Sequence, residues 1–168
     1  MVRIFSLILL ALLLVSCDQE NTSSRPEDDK SEKSLALANA WLDAFSSHDL
    51  GKMQSILSQD IIVRGLGGED SMSYAEVLEK LSPDDIDYSP FTDRKWLTIP
   101  PNDSLFDGEG VLFWGTSTLN FKNGVSSSFP IHIVTIVKED QIISMRFYYN
   151  IQKIQKDLGY TVSLPNDE

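Results

Sequence analysis

Residues 111–150 read VLFWGTSTLNFKNGVSSSFPIHIVTIVKEDQIISMRFYYN, and this stretch decides the fold. It predicts three long antiparallel strands joined by two tight turns. The first turn is Asn123-Gly124. A type I′ turn needs positive φ at both central residues, and Asn-Gly is the strongest short signal for it. The second lies near Glu139-Asp140, polar and flanked by Ile136-Val137 and Ile142-Ile143. Strands this long make a broad curved sheet. A sheet with an apolar side needs a cover, and the helical segments that precede it supply one.

Pairing the strands through two-residue turns assigns side chains to faces, because the side-chain period along a strand is two. One face then carries Phe113, Gly115, Ser117, Pro130, His132, Val134, Ile143, Met145, Phe147 and Tyr149. The other carries Leu112, Trp114, Thr116, Phe129, Ile131, Ile133, Ile142, Arg146, Tyr148 and Asn150. Both are largely apolar. One must cover the helices. A large exposed apolar patch is rare on a monomer, so the other predicts a homodimer packed through the sheet. A slip of one residue at the second turn would exchange the faces of the last strand.

Upstream, Leu35 to Phe45 places Leu37, Ala38, Trp41, Leu42 and Phe45 at helical spacing, with Ser34 as the expected N-cap. Trp41 on such a stripe is expected in the core, where it can also line a cavity with Phe45. Ser46-Ser47-His48 break this helix, and His48 is expected in an exposed loop. Asp49 then caps a second helix with Leu50, Met53, Ile56 and Leu57 inward. Asp60 to Arg64 is a short strand ended by Gly65, Gly67 and Gly68. That glycine cluster has neither GxGxxG spacing nor a following lysine with Ser or Thr, which argues against a phosphate loop. Ser73-Tyr74-Ala75-Glu76 is a capping box opening a third helix with Val77, Leu78 and Leu81 inward. Asp84, Asp85, Asp87 and Asp93 follow as a solvated acidic loop. They lack the glycine and the twelfth-position glutamate of an EF-hand. Trp96 to Ile99 is a further strand.

The first 34 residues carry a different message. Met1-Val2-Arg3 is a short basic region, and Ile4 to Val15 is an apolar run of twelve residues broken only by Ser6. That is too short for a spanning helix, which takes about 20 residues, and it fits the hydrophobic part of a signal peptide. The run ends Leu14-Val15-Ser16-Cys17, which resembles a bacterial lipoprotein signal. The resemblance implies cleavage before Cys17, a diacylglyceryl thioether on its sulfur and acylation of the new amino terminus. Several acyl chains hold a protein on a membrane where one does not. Asp18 resembles an inner-membrane retention signal of some enteric bacteria. The acidic stretch after it resembles surface-export signals of others, so the membrane stays open. Asp18 to Ser34 has six acids, three bases and no aliphatic or aromatic residue. Such a segment buries too little apolar area to offset its ordering entropy. The expected organisation is a signal peptide over 1–16, a lipidated cysteine and disordered tether over 17–34, one domain over 35–160 and a disordered tail over 161–168.

Composition narrows the function. The chain has 168 residues, 42% of them hydrophobic, and a net charge of −11. That supports a real core and repels phosphate backbones, so no nucleic-acid partner is expected. The single cysteine rules out an intramolecular disulfide within the chain and a multi-cysteine metal site. With two histidines far apart and the acids in loops, no metal and no cofactor is expected.

The order helix, helix, strand, helix, strand, three long strands resembles the nuclear transport factor 2-like superfamily and, within it, the SnoaL-like group. Trp41-Leu42-Asp43-Ala44-Phe45, His48-Asp49-Leu50 and Ile56 to Ile61 look like that group's opening helices and first strand. Glu139-Asp140-Gln141-Ile142 through Tyr148-Tyr149-Asn150 looks like its closing strand. The match covers about residues 35 to 157. It implies an α+β fold: a cone-shaped curved antiparallel sheet covered by about three N-terminal helices. Asn150 stands where the group's cyclases carry an acid/base aspartate, and an amide takes no proton at neutral pH. The expected function is therefore a lipid-anchored protein of the bacterial cell envelope whose domain binds a small apolar ligand, or a protein partner, without catalysis. Its expected pocket residues are Trp41, Phe45, Trp114, His132 and Asn150. The alternative is an isomerase, cyclase or hydrolase with His132 as acid/base and Tyr148 or Arg146 orienting a carbonyl.

Overall fold

The structure, a computed structural model, describes residues 26–65, 72, 73, 75, 76, 79, 86–101 and 107–161, with 26–29 as backbone. The signal segment, Cys17, Gly67, Gly68, Val77, Leu78, Leu81, Asp84, Asp85 and the tail beyond 161 lie outside the described residues.

The chain runs α1 (Pro26–Ser46), α2 (Leu50–Ile56), β1 (Leu57–Arg64), β2 (Ile86–Tyr88), β3 (Thr92–Ile99), β4 (Glu109–Phe121), β5 (Ser126–Lys138), β6 (Gln141–Tyr149) and α3 (Ile151–Asp157). Helix α1 begins eight residues ahead of the expected Ser34 cap, within the stretch read as tether. Ser34 is instead buried, and its hydroxyl, like that of Ser31, donates to the buried Glu109 carboxylate at the start of β4 (2.5 Å each). A polar helix turn with no apolar stripe is thus held by hydrogen bonds to one carboxylate, a stabilisation that periodicity does not register. The break at His48 and the Asp49 cap are as read: His48 has φ 55 and Asp49 accepts from the Lys52 amide at 3.0 Å. Leu57 opens β1 rather than closing α2, and Leu50 is exposed. The capping box is present too. The Ser73 amide donates to Glu76 at 2.8 Å, and Ala75, Glu76 and Glu79 are helical.

The sheet order is β1-β6-β5-β4-β2, with β3 also paired to β4. It is mixed rather than purely antiparallel, because β1 joins β6 in parallel. Ile86–Tyr88, expected within the acidic loop, is a short strand against Leu119–Phe121.

The register of β5 corrects the face assignment. Phe121 and Val125 close the first turn: the Phe121 amide donates to Val125 O at 2.8 Å and the Gly124 amide to Phe121 O at 2.9 Å. The loop therefore has three residues, Lys122-Asn123-Gly124, and only Gly124 (φ 85) takes positive φ. A type I turn followed by a left-handed glycine needs no left-handed asparagine. The extra residue shifts β5 by one. Phe113 pairs with Ile133, Trp114 with His132 and Ser117 with Phe129. His132, Val134 and Pro130 thus move to the Trp114 face, and Phe129, Ile131 and Ile133 join Phe113. The second turn is the type I′ turn, with Glu139 at φ 51 and Asp140 at φ 59. In β6 the pairs Val137–Ile142 and Ile136–Ser144 leave Ile143 as an extra bulged residue. Ile142 is consequently buried on the Phe113 face, which the two-residue-turn pairing assigns to Ile143. Pro130 is tolerated because it lies one position past the final β5–β6 pair, Ile131–Tyr149, where β6 has ended.

The inner face and α1 form one core. Trp41 is stacked on Phe45 (5.4 Å between centroids, 14°) and tilted on Phe147. Arg94 on β3 fastens the helix to the sheet through Asn39 (2.7 Å) and Asp43 (2.8 Å). Among the described residues no helix is long and apolar enough to cross a membrane.

Candidate functional site

Beyond the Trp41 plug the sheet curls away from α1 and leaves a cavity of about 430 Å³. The inner faces of β4, β5 and β6 supply Ser117, Leu119, Phe129, Ile131, Phe147 and Tyr149. Phe45 closes it from α1, Ile86 and Tyr88 come from β2, and Phe91 from the turn after it. The far wall is α3, through Ile151, Ile154 and Leu158. The volume lies within the ordinary range for small-molecule sites, which are mostly apolar with few polar groups.

The chemistry of this wall is sparse. Among the described residues lining it, the only titratable groups are two tyrosines. Burial, with Tyr149 nearby, pushes the Tyr88 hydroxyl up to about 12. Burial also raises Tyr149 above its ordinary value. Both stay protonated at neutral pH and are weak acids. Neither hydroxyl, nor that of the buried Ser117, has a hydrogen-bond partner among the described residues.

Of the five pocket residues expected from sequence, Phe45 alone lines the cavity. Trp41 is one layer behind it, 1% exposed, with its indole N–H buried and unpartnered. Asn150 caps α3: its side chain accepts from the Lys153 amide at 3.2 Å. The structure thus gives a local reason for a capping side chain here, a role that asparagine and aspartate fill equally well.

Trp114 and His132 lie on the outer face of the sheet, with Tyr148 and Arg146. Trp114 stacks on His132 (4.6 Å, 5°), and His132 on Tyr148 (5.5 Å, 23°). Arg146 donates to the Tyr148 hydroxyl at 3.4 Å. The three residues expected for acid/base chemistry are therefore together, but on the opposite side of the sheet from the cavity. His132 Nε2 is buried without a partner, and burial lowers its pKa below the ordinary value. A general base needs a hydrogen-bonded route to its substrate. This histidine faces two aromatic rings. Among the described residues no cluster of three or more His, Cys, Asp or Glu is placed to hold a metal.

Sequence reasoning missed most of the lining. Two causes are visible. The β5 slip sent Phe129 and Ile131 to the wrong face, and the seven-residue α3 lay beyond the expected closing strand. A signal for α3 was present: Asn150, then Ile151 and Ile154 three apart, then Gly159 after Leu158.

No family model matches the chain, and no curated protein matches it significantly. Solved structures do. A Xanthomonas campestris protein assigned as a polyketide cyclase superposes with a TM-score of 0.63 at 18% identity, covering 77% of this chain and 98% of that one. An NTF2-like protein from Burkholderia xenovorans gives 0.60 at 15% identity, covering 76% and 96%. An LEH-like epoxide hydrolase from M. tuberculosis gives 0.56 at 17% identity, covering 76% and 90%. At these identities the likeness is one of fold. With its helices packed on a strongly curled mixed sheet, the chain has the cone-like α+β nuclear transport factor 2-like fold.

Proposed function

We propose that this is a SnoaL-like binding domain, held at the bacterial cell envelope by lipid on Cys17, that takes a small apolar ligand into the cone without turning it over. The observation that carries the binding reading is the cavity lining. It pairs a ligand-sized apolar volume with no carboxylate, histidine, lysine or cysteine among the described residues. Proton transfer needs a positioned group with a pKa near the working pH, and the two tyrosines sit far above it. Solved proteins with this fold include one assigned as a polyketide cyclase and an LEH-like epoxide hydrolase, and since one fold hosts many functions the binding reading rests on the cavity lining and not on them. The envelope location rests on Leu14 to Cys17. Pairing with a second copy through the outer face of the sheet rests on Leu97, Trp114, Tyr148 and Ile62, all exposed there.

Native mass spectrometry of the folded domain, purified gently from a bacterial host, tests the reading. A co-purified small-molecule mass that persists unchanged on incubation supports it. Conversion of that molecule, lost in His132→Ala, would establish the enzyme alternative instead. Radiolabelled palmitate incorporated by the full chain and lost in Cys17→Ala tests the anchor.

A further inference from the structure

We infer that the cavity selects neutral apolar molecules carrying a hydrogen-bond-accepting oxygen, which the Tyr88 and Tyr149 hydroxyls read. This deepens the binding function proposed above and rests on it. The two tyrosines reach the cavity from opposite directions. Tyr88 is on β2, which pairs with Leu119 of β4. Tyr149 ends β6, paired with Ile131 of β5. Each ring is packed in the wall, Tyr88 against Phe45 (4.3 Å) and Tyr149 against Phe129 (5.7 Å). The rings are thus held in place while their hydroxyls find no protein acceptor among the described residues. A hydroxyl in an otherwise apolar wall gives up its contact with water when a ligand enters, and needs an acceptor on the ligand in its place. Ser117, on the strand between them, adds a third such hydroxyl.

The same wall rejects ions. No lysine, arginine or histidine stands among its described residues, and no carboxylate does. A carboxylate or phosphate entering it would lose its hydration with no cation in return, and an ammonium would meet no anion. Tyrosines that stay protonated donate to a neutral oxygen and cannot charge to pair with a base. A ketone, ester or quinone on a ring system fits; a fatty acid or a phosphate ester does not.

Three probes of matched size separate these properties: 2-acetylnaphthalene, 2-ethylnaphthalene and 2-naphthoate. Their binding to the full chain is measured by intrinsic fluorescence quenching and by titration calorimetry at pH 7. The ketone is expected to bind about tenfold more tightly than the hydrocarbon, the effect of one or two neutral hydrogen bonds, and the carboxylate weakest. In Tyr88→Phe/Tyr149→Phe, which deletes two unpartnered hydroxyls and no packing atoms, the ketone's advantage over the hydrocarbon should disappear. Equal binding of ketone and hydrocarbon by the unaltered protein, or tightest binding of naphthoate, overturns the selectivity and leaves the apolar cavity standing. No binding of any of the three counts against the ligand-binding function itself. The comparison of probes on the unaltered protein decides the matter even where the double variant folds poorly.

Discussion

The Ser127 hydroxyl, fully buried in β5, donates to Asp157 Oδ2 at 2.6 Å and so fastens α3 across the mouth of the cone. Asp157 also pairs with Lys153 one turn earlier on the same helix. Only Ile154 of α3 is buried, so this hydrogen bond is a large part of what docks the helix. Ser127→Ala should lower stability, because it removes this hydrogen bond and leaves Asp157 paired with Lys153 alone. The loss should concentrate in α3. Faster amide hydrogen exchange over 151–158, with the β4–β5 amides unchanged, is the measurement. Uniform acceleration would contradict it.

The same contact sets a dependence on acid. The Lys153 hydrogen bond first, then Ser127's, hold the Asp157 carboxyl below its ordinary value of 3.8. A depressed carboxyl contributes stability that is present above its unfolded pKa and is lost as pH falls through the folded one. Unfolding midpoints from pH 6 down to pH 2 should therefore drop less steeply in Asp157→Asn than in the unaltered protein. Parallel curves would show that the pair adds nothing.

His132 adds a dependence of the same sign at higher pH. Burial between Trp114 and Tyr148 lowers its pKa from 6.5. Below about that pH the unfolded chain takes up the proton more readily, so stability should fall as pH drops from 6.5 toward the folded pKa and then level off. His132→Gln should remove this part of the pH dependence. An imidazole proton shift titrating at or above 6.5 would refute it.

Gly115 and Gly124 should respond to alanine for different reasons. A Cβ at Gly115 would stand 2.5 Å from Phe113 Cζ and 2.9 Å from Thr92 O. At Gly124 it would meet nothing within 4 Å, but φ is 85. Gly115→Ala therefore forces a core ring and a neighbouring strand apart, at about 1–3 kcal/mol. Gly124→Ala strains only the turn, at about 1 kcal/mol. Paired denaturant melts decide the order, and a more destabilised Gly124 variant would reverse it.

Asn150 should be replaceable by aspartate and not by alanine. Asp keeps the cap on the Lys153 amide, while Ala loses about 1 kcal/mol. No acid/base activity should appear in Asn150→Asp. Its side chain is turned to α3's own amides, and it is absent from the cavity lining.

The outer face predicts an association. Leu97 is 52% exposed, Tyr148 47%, Ile62 42% and Trp114 38%, on strands that run from one side of the sheet to the other. Sedimentation equilibrium should give a dimer for the unaltered protein and a monomer for Trp114→Glu/Tyr148→Glu. A monomeric unaltered protein would leave this surface for another partner.

Local chemistry determined much of this molecule, and it was legible in the sequence. The Asp49 cap, the Ser73–Glu76 capping box, the aromatic stripe Trp41–Phe45 and the three long strands each depend on residues close in the chain, so propensity and spacing reveal them. The nuclear transport factor 2-like architecture followed from their order. What the tertiary structure alone decided was which side of the sheet meets the helices. That choice depended on one residue in the first turn, Lys122-Asn123-Gly124 against Asn123-Gly124, because side chains alternate with a period of two and both faces are apolar. It moved His132 out of the cavity side and Phe129 and Ile131 into it. The start of α1 and the docking of α3 were hidden for a related reason. Each is held by a polar contact between residues far apart in the chain, Ser31 and Ser34 with Glu109 and Ser127 with Asp157, and such pairs leave no periodic trace.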